Sequence, residues 1–251
     1  MMLAAVFAVV LLGSCMQRVS GMGLGLIGGP VLMLLMGPVE GILVINVLAC
    51  INAALTTVSV RRDVDWKVFA QIAAVMMLGS IPAGFLVART DTAPLLVIVG
   101  GALLVALGVV TFGKRFVPPM QGTGPAVSAG ILGGFTNTLA GIAGAVITVY
   151  AQAAGWPQQM YTATLQPIFM VGGFISVTVK LLVGAGGLDG VSGWLWPVGL
   201  IAMLLGISTG TALARRVPLG AAHKFSLFIA SVGAASAVVR GLTSPVSYTH
   251  L

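Results

Sequence analysis

The sequence predicts an all-α polytopic integral membrane protein with two inverted repeats, and three observations lead to this prediction. They are a scarcity of charge, long apolar runs, and a glycine-rich pattern that occurs twice. Of the 251 residues, 58% are hydrophobic and only 7% are charged, whereas a soluble domain carries about 25% charged residues. Too few charges remain to cover a water-soluble globule. The composition therefore excludes a soluble enzyme, a disordered tail and a nucleic-acid-binding module.

Six apolar runs have the length of a membrane span. A transmembrane helix needs about 20 mostly apolar residues, and these runs lie between charges or turn signals. We predict one helix for each of the ranges 39–60, 66–88, 93–113, 158–183, 193–214 and 222–242.

Two further stretches, residues 1–36 and 124–155, are apolar but interrupted. Gln17-Arg18 and six helix-breaking residues from Gly21 to Pro30 interrupt the first, and polar residues and glycines after Phe135 interrupt the second. Each stretch is too long for one span and barely long enough for two. We therefore predict a glycine-broken or re-entrant element in each half, which gives about eight membrane elements in total.

An internal repeat relates the two halves. A shift of about 119 residues aligns the two broken elements and the three predicted helices that follow each of them. It pairs Arg18 with Asn137, Gly25 with Gly144, Pro38 with Pro157, and Arg61 with Lys180. We therefore predict a first membrane repeat over 1–113, a cytoplasmic linker loop over 114–123, and a second repeat over 124–242. Residues 243–251 form a polar tail that need not be native.

The basic residues predict the orientation of the chain, because Lys and Arg favour cytoplasmic loops. If each broken element makes no net crossing, each half crosses three times and the second half is inverted. Both termini are then external, and we expect the inner (plasma) membrane. Eight basic residues lie inside, namely Arg61, Arg62, Lys67, Lys114, Arg115, Arg215, Arg216 and Lys224, against Arg89, Lys180 and Arg240 outside.

Enzyme motifs are not found in the sequence. It contains no HExxH, GxSxG, GxxxxGK[ST] or CxxC pattern, and all five acidic residues lie at or near the ends of predicted spans. Cys15 and Cys50 lie in apolar stretches and indicate neither a disulfide framework nor a metal site. We therefore predict a protein that is not an enzyme and that needs no cofactor.

Paired glycine-rich breaks in hydrophobic segments are the best sequence indicator of a transporter binding site. Where a broken helix restarts, its free N–H groups and positive dipole end favour an anion. The alternative is close helix packing through small residues. The candidate binding residues at these breaks are Ser20, Gly21, Gly23 and Gly25 in the first half and Gly141 and Gly144 in the second.

Polar residues near or within the spans complete the candidate substrate-binding set. They are Arg18, Asn46, Asn52, Asn137 and Gln166. An arginine beside a helix break can pair with an oxyanion through two hydrogen bonds. The alternative is that Arg18 is an ordinary cytoplasmic loop arginine and that the amides form interhelical hydrogen bonds.

The sequence from about residue 4 to residue 240 resembles the TauE/SafE sulfite exporters. Three motifs carry the resemblance: Gly21-Met-Gly-Leu-Gly-Leu-Ile-Gly-Gly-Pro30, its counterpart Gly133-Gly-Phe-Thr-Asn-Thr-Leu-Ala-Gly-Ile-Ala-Gly144, and the charged hairpin Arg61-Arg62-Asp63-Val64-Asp65-Trp66. The resemblance implies an exporter or permease of small anions such as sulfite, sulfoacetate or other organosulfur compounds. Ala143 and Ala145 depart from the family pattern, in which a glycine run and then a proline are common.

These observations predict a secondary transporter that exports a small oxidised sulfur anion across the cell membrane. The expected partners are the anion, the lipid bilayer and a coupling ion, either a proton or sodium, with no nucleic acid. The residues leave two alternatives open, an anion channel and a non-transporting membrane subunit of a larger complex, and they do not fix the oligomeric state.

Overall fold

The structure is a computed structural model that describes residues 1–112, 118–120, 122–214 and 216–243. These ranges contain ten α-helices and no β-strand, as the predicted all-α class requires. In chain order the helices are α1 (Met2–Ser20), α2 (Leu24–Met36), α3 (Pro38–Val60), α4 (Trp66–Ala88), α5 (Thr92–Phe112), α6 (Thr123–Ala140), α7 (Ala143–Ala153), α8 (Gln158–Leu182), α9 (Leu195–Leu213) and α10 (Leu219–Thr243).

The six predicted spans are confirmed as helices α3, α4, α5, α8, α9 and α10. These six and α1 are the seven described helices that are long and apolar enough to cross a membrane. Local chemistry sets several of their ends: Pro38 occupies the first turn of α3, where its missing N–H has no consequence. The Asp65 carboxylate caps α4 by accepting from the N–H groups of Lys67 and Val68, both at 3.0 Å, as an N-cap residue does.

Large apolar side chains cover the outside of the helical assembly. Leu182 is 80% exposed and Val58 is 70% exposed. Such surfaces are unfavourable in water but suit contact with lipid chains. Together with the seven long apolar helices, they identify a multi-pass membrane protein.

Each predicted broken element is a pair of helices that folds back on itself. We call α1–α2 the first hairpin and α6–α7 the second hairpin. In the first, Gly13 packs closely against Leu24, because a Cβ added at Gly13 would lie 2.9 Å from the Cα of Leu24. The C-terminal half of α1 therefore lies beside the start of α2. In the second, the N–H of Met120 donates to the carbonyl of Ala153 at 3.0 Å. The chain therefore enters and leaves the second hairpin at the same end, as a re-entrant element does.

Helices α3 and α8 pack against each other in opposite directions. The Asn46 amide donates to Ser176 Oγ at 2.8 Å, and the Cys50 thiol donates to the Met170 carbonyl at 3.2 Å. The residue numbers rise along one helix while they fall along the other. Helices α5 and α10 are also antiparallel, because Gly100 contacts the Ala234 region and Gly241 the Ala93 region.

Each hairpin also packs on a long helix of the other half. Helix α1 lies along α9, where Gly206 and Gly210 contact the carbonyls of Leu11 and Cys15. Helix α6 lies along α4, where Gly134 contacts the Met76 carbonyl. Glycine permits this backbone approach, as is common in membrane helix packing. The glycine excess is thus partly explained by packing, the alternative that the sequence left open.

The position of Lys180 differs from the expectation. We expected it on the outer surface, but it lies in the last turn of α8 with no exposed area, and its Nζ has no hydrogen-bond partner among the described residues. The reason is the segment after α8, which folds back over the helix end: the Ala185 N–H donates to the Lys180 carbonyl at 2.9 Å, and Gly186 contacts Val39. The predictions for Lys114, Arg115, Arg215 and residues 244–251 fall outside the described residues.

Candidate functional site

The tips of the two hairpins meet inside the helical assembly. A Cβ added at Gly25 would lie 2.5 Å from the Gly141 carbonyl oxygen, and one added at Gly144 would lie 2.9 Å from the sulfur of Met22. The two glycine-rich breaks, which are about 120 residues apart in the chain, are therefore in direct contact.

Glycines make both tips possible. Gly21, with φ +83°, is the C-cap residue that follows α1, and Gly141, with φ +73°, is the C-cap residue that follows α6. This left-handed conformation is unfavourable for residues with a Cβ. Gly23 has a different reason, because a Cβ there would overlap the backbone of Gly13 and Gln17.

The tips enclose a cavity of about 30 Å³, with room for no more than a few water molecules. None of the described residues that line it carries a charge. The polar side chains that line it are Gln17, Asn46 and Asn137, and the glycines are Gly23, Gly25, Gly141 and Gly144. The larger apolar side chains that line it are Met22, Leu26, Ile142 and Phe169.

Two pairs of buried amides hold the tips to the opposite halves. Gln17 in α1 donates to the Gln166 Oε1 in α8 at 3.0 Å, and Asn137 in α6 donates to the Asn46 Oδ1 in α3 at 3.5 Å. Gln17 and Asn137 are 120 residues apart, as are Asn46 and Gln166. Each hairpin therefore makes the same kind of bond with the half to which it does not belong.

The same two tip amides cap the restarting helices. Gln17 Oε1 accepts from the N–H of Leu24 at 3.2 Å, the first residue of α2. Asn137 Oδ1 accepts from the N–H of Ala143 at 3.4 Å, the first residue of α7. The sequence alignment paired Arg18 with Asn137, but in the structure Gln17 has the matching role.

The first turns of α2 and α7 line one cavity. Gly25 and Leu26 in α2 and Gly144 in α7 line it and belong to first turns, where N–H groups have no intrahelical acceptor. Both helix N-termini carry partial positive charge. The arrangement provides neutral hydrogen-bond donors and positive dipole ends without a competing carboxylate, which suits an anion.

The structure brings most of the predicted site residues together. Gly23, Gly25, Asn46, Asn137, Gly141 and Gly144 line the cavity. Three others lie beside it: Gln166 Nε2 donates to the Gly21 carbonyl at 3.3 Å, and Ser20 Oγ donates to the Met22 carbonyl at 2.7 Å.

Arg18 and Asn52 lie elsewhere. Arg18 Nε donates to Thr211 Oγ1 on α9 at 3.1 Å, at the exposed edge of the assembly. Asn52 is 1% exposed, and neither of its amide atoms has a hydrogen-bond partner in the described part of the chain. Neither residue lines the cavity in this conformation.

Sequence reasoning did not select Gln17, Met22, Phe169 or Ser176 as site residues. For Gln17 a signal existed, since an offset of 120 pairs it with Asn137 as it pairs Asn46 with Gln166. Met22 lies in the turn between α1 and α2, and Phe169 and Ser176 are ordinary residues of α8; only the folded arrangement brings these three to the site.

Comparison with known proteins gives one match. The family described as Sulfite exporter TauE/SafE matches residues 6–239, a range that begins within α1 and ends within α10. Neither the curated proteins nor the solved structures contain a match. Because the family match covers nearly the whole chain, this protein belongs to the TauE/SafE sulfite exporter family of membrane transporters.

Proposed function

We propose that this protein exports sulfite or a small organosulfonate across the plasma membrane and holds the anion between the two hairpin tips. The observation that carries the proposal is the cavity between Gly25 and Gly144, which the first turns of two helices line together. Backbone N–H groups would bind the sulfonate or sulfite oxygens. Asn46, Asn137 and Gln17 would add side-chain amide donors and fix the position of the tips.

The proposed mechanism is alternating access by two inverted repeats. The antiparallel packing of α3 on α8 and of α5 on α10 supports the inversion, because these helices occupy equivalent places in the two halves. The reciprocal pairing of Gln17 with Gln166 and of Asn137 with Asn46 supports a two-fold relation between the halves. Rocking of one half against the other would open the cavity first to one side and then to the other.

The closed tips favour a transporter over a channel. A cavity of about 30 Å³ is too small for a bound sulfite, which is larger than water. The close approach of Gly25 to the Gly141 carbonyl also blocks a continuous path between the tips. The hairpins must therefore separate to admit the anion, which is a step of a transport cycle and not of free diffusion.

The energy for export would come from an ion gradient, the membrane potential or the gradient of the anion, since the sequence has no ATP-binding motif. A proton or sodium ion is the proposed coupling ion. The anion and the surrounding lipid are the proposed partners, as family membership implies.

The test is flux through the purified protein in proteoliposomes. A panel of sulfite, sulfoacetate and other sulfonates is loaded with and without imposed pH and sodium gradients. A transporter gives saturable flux that responds to one of the gradients. A channel gives flux that follows only the anion gradient and the potential. A membrane subunit without transport activity gives no flux, and this result would reject the proposal.

A further inference from the structure

A second cavity lies next to the central one. It has a volume of about 190 Å³ and is formed by the tip of the first hairpin, α7, and the first turns of α8 and α10. Its polar side chains are Ser20, Thr148, Gln152, Gln158, Tyr161 and His223. No carboxylate lines it among the described residues, so its chemistry suits a small oxyanion and not a cation.

The second cavity opens at the end of the protein that the basic residues predict to be cytoplasmic. Gln152 and Gln158 are exposed at its edge. The adjoining first turns of α8 contact the charged loop after α3: Gln159 Nε2 donates to the Asp63 carboxylate at 2.9 Å, and the Asp65 N–H donates to Thr164 Oγ1 at 3.0 Å. An anion that leaves the cytoplasm would therefore meet this cavity first.

Between the two cavities, in contact with Thr148, lies Met22. Its side chain is 3% exposed and lines the central cavity, and its sulfur lies 3.0 Å from Thr148 Oγ1, which lines the second cavity. On the far side of Thr148, the Tyr161 hydroxyl lies 2.7 Å away. Both hydroxyl-bearing residues are buried, so the wall between the cavities is thin and polar on the cytoplasmic side.

The Met22 side chain is flexible, and its hydrogen bond with Thr148 is weak. Thioether sulfur is only a weak hydrogen-bond acceptor, and the methionine side chain is unbranched with three rotatable bonds. Thr148 Oγ1 has a stronger partner in the Gly144 carbonyl at 2.5 Å, so it does not depend on the sulfur. A rotation of the Met22 side chain would break one weak hydrogen bond, together with its packing in a buried apolar cluster, and would thin the wall between the two cavities.

We propose that the second cavity is a cytoplasmic-side binding position for the exported oxyanion and that Met22 is the gate between it and the central cavity. The proposal rests on the anion transport proposed above. The Gln152 and Gln158 amides supply donors to the anion before Met22 turns aside, and the Tyr161 hydroxyl joins them by turning its proton from Thr148 Oγ1 to the anion.

The binding position is tested with Tyr161→Phe, which removes one oxygen and keeps the ring. Sulfite flux is measured in inside-out and right-side-out membrane vesicles. We expect the KM for sulfite presented from the cytoplasmic face to rise about threefold to tenfold, the effect of one lost hydrogen bond. The KM from the other face should not change. Tyr150→Phe is the matched control, since Tyr150 lines a separate apolar groove, and it should match wild type from both faces.

The gate is tested with Met22→Ala, and Met22→Leu serves as a control of similar volume. We expect Met22→Ala to raise downhill sulfite flux several-fold and to loosen its dependence on the driving gradient. Met22→Leu, which fills a similar volume with a stiffer side chain, should not raise the flux and should keep the gradient dependence. Gel filtration of each variant establishes that it is folded.

The outcomes separate the two proposals. If wild type carries no anion of the panel, the proposed function fails. If wild type carries sulfite, either of two results overturns this inference and leaves the proposed function intact. One is that Tyr161→Phe changes the KM for sulfite equally from both faces, or from neither face. The other is that Met22→Ala keeps the wild-type flux and the wild-type dependence on the driving gradient.

Discussion

Replacement of Gly25 by alanine tests whether the contact between the hairpin tips matters for transport. A Cβ at this position would lie 2.5 Å from the Gly141 carbonyl oxygen, and protein Cβ atoms essentially never approach closer than 3.0 Å. The obstacle is backbone and not the flexible end of a side chain. One tip must therefore retreat by at least about 0.5 Å, the difference between these two distances.

The expected change in sulfite flux follows from two opposing effects on the free energy of the closed arrangement. Overpacking of this kind costs about 1–3 kcal/mol, and alanine in a helix gains about 0.5–1 kcal/mol over glycine. At the middle of each range, the net cost to the closed arrangement is about 1.2 kcal/mol, which corresponds to a change of about eightfold in rate or affinity. Because alternating access also requires the tips to close again after the anion enters, we expect sulfite flux through Gly25→Ala to fall by that factor.

The assay is initial sulfite flux in proteoliposomes at equal amounts of inserted protein. Two matched variants, Gly29→Ala and Gly101→Ala, introduce a weaker clash and no clash. A Cβ at Gly29 would lie 3.3 Å from the Ala140 carbonyl, and one at Gly101 in α5 would meet no atom within 4 Å. Flux should therefore fall most for Gly25→Ala, less for Gly29→Ala and not at all for Gly101→Ala. Wild-type flux through a correctly folded Gly25→Ala would refute the reasoning.

Three further variants test other parts of the structure. Gln166→Leu leaves the buried Gln17 amide without its partner, so we expect a loss of about 1–3 kcal/mol as a lower Tm in detergent; an unchanged Tm would contradict the amide pairing. Arg18→Gln should leave the KM for sulfite within about threefold of wild type, since Arg18 contacts Thr211 and not the cavity; a larger increase would show that Arg18 reaches the anion in another conformation. Lys180→Met should raise the Tm by removing a buried group with no hydrogen-bond partner among the described residues; a lower Tm would mean that Lys180 has a stabilising partner.

The sequence was sufficient to predict the helices because their signals are local. Apolar length identified α3, α4, α5, α8, α9 and α10, and the glycine clusters located both breaks. It also selected Gly23, Gly25, Asn46, Asn137, Gly141 and Gly144, which line one cavity, and their role in anion binding stays a prediction. Local composition was enough to predict the helices, whereas the site residues also needed the comparison of the two repeats.

The contacts between the halves could not be predicted in the same way. The bond from Gln17 to Gln166 joins residues 149 positions apart, and no local pattern specifies that register. Arg18 was the most informative charge in the sequence, yet its side chain turns to α9 because α1 packs along that helix. Lys180 likewise is buried by a loop whose path depends on the tertiary structure.

The central claim is that an anion binds between the hairpin tips through neutral donors, and Asn137→Asp tests it most directly. The change keeps the shape of the side chain and the oxygen that accepts from the Ala143 N–H, but it adds a negative charge to the cavity. Sulfite flux in proteoliposomes should be saturable for wild type and should fall about tenfold or more for Asn137→Asp, because like charges repel strongly at short range in a buried site. Equal sulfite flux through the two proteins would contradict the account.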